Sequence, residues 1–195
     1  MDAPLPTGPG TSPEDALDAQ LVERVRRGEA GAFDQLVARH MRRAFGVAYR
    51  LLGQREDAED LVQEAFLAVL ERIDTFQAGR SFAPWFYRIL VNRGLNARKA
   101  RALRVTEPIP ETAAARSTAP DREAERSELR EELRSALEAL PERQRTIVEL
   151  FELEGFSGPE IAGILDIPEG TVRWHLHEAR RTMRLALAPF EAKEL

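Results

Sequence analysis

The chain has 195 residues, enough for one domain or two small ones, and its 43% hydrophobic and 31% charged composition suits a globular protein with small cores. It has no cysteine, which excludes disulfides, cysteine-ligated zinc and a thiol switch within the chain. The net charge of −5 argues, as an average, against nucleic-acid binding, but the charge is segregated along the chain.

The N-terminal MDAPLPTGPGTSPEDA has neither a basic n-region nor an apolar h-region, and no 18-residue apolar stretch follows anywhere. A cytoplasmic location without membrane insertion is therefore expected. Residues 1–17 read as a disordered tail. Helical periodicity starts at Leu21, Val22 and Val25 and runs through Phe33, Leu36 and Val37 to Leu52. A further helix is predicted from Arg55 to Ile73, with Leu61, Val62, Ala65, Phe66, Val69, Leu70 and Ile73 on one face. After a loop containing Thr75, Gly79 and Ser81, another helix is predicted from Pro84 to Arg101.

These last two helices carry opposite charge. From Gln54 to Asp74 there are seven acidic residues and two basic ones. From Arg88 to Arg104 there are six basic residues and none acidic. The first suits a basic protein surface, the second phosphate. Just before the basic run stand Trp85, Phe86 and Tyr87. Rings beside cations can hold unstacked bases. Trp85 and Phe86 could equally be core residues.

Residues 104–125 hold prolines and small polar residues, too few apolar ones to offset ordering, and read as a flexible linker. Periodicity resumes at Leu129, Leu133, Leu137 and Leu140, and Pro141 can open the next helix at its first position. The stretch GFSGPEIAGILDIPEGTVRWHLHEARRTMR is the most informative. Ser157 and Glu160 fit a capping box. Ile161, Ala162 and Leu165 give an apolar face, and Asp166-Ile167-Pro168 breaks the helix. Val172, Leu176, Ala179 and Met183 then form the inner face of a second helix. Arg173, Trp174, His175, His177, Arg180, Arg181 and Arg184 lie between them, as a helix entering a major groove requires. A helical hairpin with a solvated face would share that last feature. The cap, the small Ala162, the turn and the basic second helix together favour a helix-turn-helix.

The expected fold is all-α: two small helical domains, 18–103 and 126–190, joined by the linker. Three strings, in order, carry a family resemblance: DAEDLVQEAFLAVLERIDTF, FAPWFYRILVNRGLNARKAR and LEALPERQRTIVELFELEGFSGPEIAGILDIPEGTVRWHLHEARRTMR. They resemble the extracytoplasmic-function (ECF) sigma factors of bacterial RNA polymerase, over about residues 20–101 and 126–187. The resemblance implies that the first domain is sigma region two. Its acidic helix, through Asp57, Asp60, Gln63 and Glu64, would dock on the clamp helices of the polymerase β′ subunit. The loop and basic helix that follow would capture a flipped −10 base and guide the melted strand. Asn92 falls at the base pocket; Trp85, Tyr87 and Arg88 join it in binding −10 DNA, and Arg98, Lys99 and Arg101 would act as phosphate contacts. The second domain would be region four, gripping the β flap and reading the −35 element through Thr171, Arg173, Trp174, His175, His177, Glu178, Arg180 and Arg181. An anti-sigma factor is a common partner in the family, and no cofactor or metal is implied.

The sequence departs from the family at Asp166, where Gly is usual, and at Asn96, where Asp is common. Trp174, His175 and Glu178 replace a small residue and two basic ones on the reading face. Two rival functions have less to rest on. An enzyme lacks motifs: His175 and His177 sit two apart on different sides of a helix, and no HExxH, P-loop or Gly-rich dinucleotide motif occurs. A helix-turn-helix regulator that never joins the polymerase would leave the acidic and basic helices without a task.

Overall fold

The computed structural model describes residues 12–104 and 131–191; Leu129, the 104–125 linker beyond Arg104 and the first residues of the expected tail lie outside them. Among the described residues every regular element is a helix. The described residues form two compact units, 12–104 with Phe156–Glu169, and 131–155 with 170–191. Phe156–Glu169, part of the expected domain 126–190, falls in the first unit.

In the first unit, α1 spans Pro13–Arg26, so the expected tail is corrected at its end. Ser12 and Asp15 form a reciprocal capping box, and Pro13 occupies the first turn, where its missing N–H costs nothing. The periodic stretch from Leu21 to Leu52 divides into two helices. Gly28 and Gly31 take left-handed backbone (φ 72° and 75°) between α1 and α2, Ala32–Leu52. Side chains are disfavoured there, so glycine sets the corner. α3 spans Arg55–Arg72, a 3₁₀ turn covers Ile73–Thr75, and α4 spans Phe82–Arg104. α2, α3 and α4 pack on one another, with α1 against α2.

Their core is aromatic. Phe86 stacks on Phe66 with centroids 4.6 Å apart, and Phe82 stacks on Phe86 at 5.9 Å. Phe76 meets Phe82 edge-on. Gly94 lets α4 cross closely: a Cβ there would lie 3.0 Å from methyls of Leu51 and Leu61. α7, Gly158–Leu165, packs on α4 in this same unit.

In the second unit a helix, α5, covers 131–138. α6, Glu142–Val148, follows with Pro141 at its N-cap rather than at its first helical position, and runs on into a π-helical turn, Glu149–Leu153. α8 spans Glu169–Glu191. The buried hydrophobic residues here are aliphatic, Ala136, Leu140, Ile147, Val148, Leu150, Val172, Leu176 and Ala179, with Thr146 and Glu154 buried beside them.

Candidate polymerase and nucleic-acid interfaces

The face of α3 turned from the core carries Asp60, Gln63 and Glu64, all exposed, with Leu67 52% exposed beside them. Leu70, expected on the buried face, is exposed as well; the inner row is Ala58, Leu61, Val62, Ala65, Phe66, Ala68 and Val69. Although i+4 from Phe66, Leu70 lies on the far edge of that row, turned away from Ala58, Leu61, Ala65 and Ala68, which face the core. Asp57 does not join the exposed row. It is half-buried and accepts from Arg101 Nη1 at 2.9 Å. Arg93 pairs with Glu64 at 3.2 Å. The acidic and basic helices thus answer each other across the α3/α4 contact, which the charge counts of separate segments did not reveal.

α4 divides its expected binding residues by depth. Phe86 and Tyr87 are wholly buried (0% exposed), and Tyr87 meets the ring of Phe156 at 5.0 Å. Trp85 is half-buried against Phe76 and Phe82, at 5.2 Å and 5.8 Å. The alternatives left open by sequence therefore separate: Phe86 is core, while Trp85 keeps part of its ring at the surface. Arg88 and Asn92 are half-buried; the Asn92 amide donates to the carbonyl of Ile164 at 3.2 Å, and Arg88 lies 3.8 Å from Asp166. Arg98 donates to the Leu51 carbonyl at 3.4 Å, near the end of α2, and Lys99 is exposed.

The loop that launches α4 is held by a residue the sequence reading passed over. Arg26 Nη2 donates to the carbonyls of Ile73, at 2.8 Å, and of Phe76. The Ile73 carbonyl also closes the 3₁₀ turn by accepting from Phe76 N at 3.2 Å, so one guanidinium ties that turn to the Phe76 carbonyl beyond it. A second unforeseen group lies under α2. Asp18, buried, accepts from His40 Nε2 at 2.8 Å and from Arg39 Nε at 2.7 Å. Burial alone would raise the Asp18 carboxyl pKa, but the hydrogen bonds and charges of His40 and Arg39 outweigh it and hold it below its ordinary value. Neither was legible in the sequence, because each partner is far along the chain.

The first helix of the expected helix-turn-helix has the predicted cap. Ser157 N donates to Glu160 Oε2 at 2.8 Å, and Glu160 N donates back to Ser157 Oγ. Asp166 takes a left-handed conformation (φ 54°), and Ile167 N closes on the Ala162 carbonyl at 3.0 Å. Asp tolerates this region better than most residues and so serves where glycine is usual.

On α8 the inner row is Val172, Leu176 and Ala179, with Met183 half-buried. Arg173, Trp174, His177, Arg180, Arg181 and Arg184 are exposed, Trp174 at 57%; Thr171, His175 and Glu178 are half-buried. His175 sits beside the inner row, with Nδ1 buried. Burial, then the positive charge of Arg143, lowers its pKa. This is not the outward reading position the sequence suggested. Arg180 pairs with Glu152 at 2.9 Å and lies over the Phe151 ring, both from the π turn. Glu178 Oε1 lies 3.5 Å from Arg181 and 3.7 Å from His177. Among the described residues no acidic and histidine cluster could hold a metal, and no helix is long and apolar enough to cross a membrane.

An exposed acidic row, an aromatic and cationic helix, and a capped helix-turn-helix sequence are the features of a helical transcription factor. Residues 36–104 match the family model of Sigma-70 region 2, and 130–183 that of Sigma-70, region 4. The RNA polymerase sigma-H factor of Pseudomonas aeruginosa is 36% identical over 182 residues, 88% of this chain and 94% of that protein. The ECF RNA polymerase sigma-E factor of Escherichia coli K12 is 33% identical over 186 residues, 90% and 97% of the two chains. The solved structure of CnrH in complex with the cytosolic domain of CnrY aligns with TM-score 0.64 at 29% identity, covering 89% of this chain and 98% of that one. The chain belongs to the ECF sigma factors of RNA polymerase and is an alternative sigma factor for transcription initiation. The regulator that never joins the polymerase has no support beside these matches.

Proposed function

We propose that three surfaces divide the work of this sigma factor. The exposed row Asp60, Gln63 and Glu64 on α3, with Leu67 at its side, docks on a basic surface of the polymerase β′ clamp. Asp57, already engaged by Arg101, contributes mainly by holding α4 in place. Trp85, Arg88 and Asn92 on α4 capture a base of the melted −10 element, and Arg98 and Lys99 follow its phosphates. The outer face of α8, through Arg173, Trp174, His177 and Arg181, enters the −35 major groove. Residues 126–190 then act as region four, gripping the β flap, and residues 18–103 as region two.

The observation that carries this reading is the separation of exposed charge: acidic on α3, cationic on the outer face of α8. The chain works in the cytoplasm, where the polymerase is, and performs no catalysis of its own. CnrH is bound by the cytosolic domain of CnrY; an anti-sigma factor is proposed to restrain this chain too. The test is promoter selection with holoenzyme assembled from core polymerase and the purified chain. Enrichment of templates sharing two spaced elements is expected. No enrichment over core polymerase alone overturns the assignment.

A further inference from the structure

We infer that the chain carries its own latch over the proposed base-capture face of α4. In the free protein, the segment Phe156–Asp166 occupies the side of α4 that bears Tyr87, Arg88 and Asn92. Promoter bases reach that face only when the segment leaves. This rests on the assignment of Asn92 to base capture given above.

Four contacts build the latch, each of a different kind. The Asn92 amide donates to the carbonyl of Ile164 at 3.2 Å. That carbonyl lies in the last turn of α7, where carbonyls lack a helical partner and need an outside donor. Phe156 is buried with its ring against Tyr87 at 5.0 Å, and the Arg43 guanidinium lies 5.9 Å from the same ring. An aromatic residue just ahead of α7 is thus seated between α4 and α2. Asp166, at the turn after α7, faces Arg88 at 3.8 Å. The hydrogen bond sets the register of the segment, the buried ring supplies most of the apolar contact, and the exposed ion pair adds little.

Occupation and base capture compete for the same side of α4. One Asn92 Nδ2–H is engaged by Ile164 and the side chain is half-buried beside the segment, so a base reaches its second N–H and Oδ1 only when the segment moves aside. The segment moreover lies within 130–183, the region-four match, yet folds with α4 of the region-two match. One stretch of chain is therefore claimed by two tasks. The apparent affinity of free sigma for −10 DNA is the intrinsic affinity reduced by the open fraction. A chain open about one-tenth of the time binds roughly tenfold more weakly than its pocket allows.

The experiment titrates the full-length chain, without polymerase, against a fluorescent single-stranded DNA carrying a −10 element taken from the promoter selection. Variants are Phe156→Ala, Asp166→Gly, Asn92→Ala and the Phe156→Ala/Asn92→Ala pair. Hydrogen exchange is followed over 85–95 and 158–165. Phe156→Ala is expected to tighten binding about tenfold and to speed exchange in both segments, and the pair to lose the gain. Asp166→Gly keeps the left-handed turn and should tighten binding about twofold, in proportion to an exposed ion pair. It carries the test if circular dichroism shows that Phe156→Ala does not fold. Unchanged affinity and exchange in both latch variants, with Asn92→Ala still weakening binding, overturns the latch and leaves the pocket standing. Faster exchange in the latch variants, with Asn92→Ala without effect on DNA in either background, keeps the latch and removes Asn92 from the pocket.

Discussion

The charged surfaces of α3 and α4 and that of α8 follow different rules. In the first unit α3 is mostly acidic and α4 basic, and beside the local Arg55–Glu59 pair two pairs cross their contact, Asp57 with Arg101 and Glu64 with Arg93. In the second unit α8 carries both signs, and its pairs close within the helix or onto the neighbouring π turn: Glu178 with Arg181, Arg180 with Glu152. The cores beneath differ in the same sense. Stacked rings of Phe66, Phe82 and Phe86 lie at the α3/α4 crossing, whereas the buried residues of α8 itself are Val172, Leu176 and Ala179. The contrast teaches that charge counted along a segment overstates the charge left for a partner. In the first unit the correction depends on tertiary packing; in α8 much of it is local.

The most forceful way to break the comparison is to remove the packing. Phe86→Ala deletes a wholly buried ring stacked on Phe66 and should cost about 3–5 kcal/mol, read by urea unfolding. The cross-helix ion pairs cannot supply such a loss, since exposed pairs are worth about 0–1 kcal/mol each. A change below about 1 kcal/mol would place the α3/α4 crossing under the control of charge instead.

Next in size is the buried group under α2. Asp18→Ala leaves His40 Nε2–H without its acceptor and should cost about 1–3 kcal/mol. The pH dependence has a definite sign. The Asp18 pKa is depressed in the folded chain, so its contribution is complete above the ordinary carboxyl value of 3.8 and fades as pH falls through the lower folded value. Wild type and Asp18→Ala should therefore converge in stability in that acid window and stay apart above it. A gap that persists to low pH would assign the loss to packing rather than to the ionised carboxylate.

What was legible in the sequence divides along the same line. The all-helical fold, the Ser157 cap, the Asp166 turn and the inner row Val172, Leu176 and Ala179 follow from local spacing and backbone chemistry, which neighbouring residues reveal. The start of α1 was also local, in Ser12-Pro13-Glu14-Asp15, but the proline-rich context hid it. Arg26 on the Ile73 and Phe76 carbonyls, Asp18 with His40, and Asp57 with Arg101 link residues more than twenty positions apart. No spacing rule reaches that far. The depths of Tyr87 and His175 were hidden for a related reason: which side of a helix is covered depends on what packs there.

A smaller effect sharpens the comparison at α3. Asp60 and Glu64 are exposed, so Asp60→Lys with Glu64→Lys, which also loses the Glu64–Arg93 pair, should leave unfolding within about 1 kcal/mol of wild type. Affinity for core polymerase should fall on the order of tenfold, through slower association at low salt. Asp57→Asn, which loses the Arg101 pair, should affect core affinity less. Equal losses from Asp57 and Asp60 would mean that the cross-helix pair opens on docking.

The smallest effect expected belongs to Glu178, and it decides how far the charge on α8 is local. An ionised carboxylate on a reading face can accept a hydrogen bond from the cytosine amine, which would make Glu178 a determinant of −35 sequence. The structure gives it another task. It is half-buried, with one oxygen 3.5 Å from Arg181 and 3.7 Å from His177, so it moderates cations on its own helix. Neutralising it in Glu178→Gln removes a negative charge that would stand near phosphate and frees Arg181 to contribute as a full counterion. Binding to −35 duplexes should then tighten by about 0.3–1 kcal/mol on all sequences alike, the scale of an exposed ion pair. The slope of log affinity against log salt should steepen by roughly one. Base reading predicts the opposite pattern: a loss of about 1–3 kcal/mol at one position and a changed preferred base there. Binding-site selection on wild type and Glu178→Gln, followed by salt titration of the shared winner, separates the two. A base preference that moves with the substitution would return Glu178 to the groove.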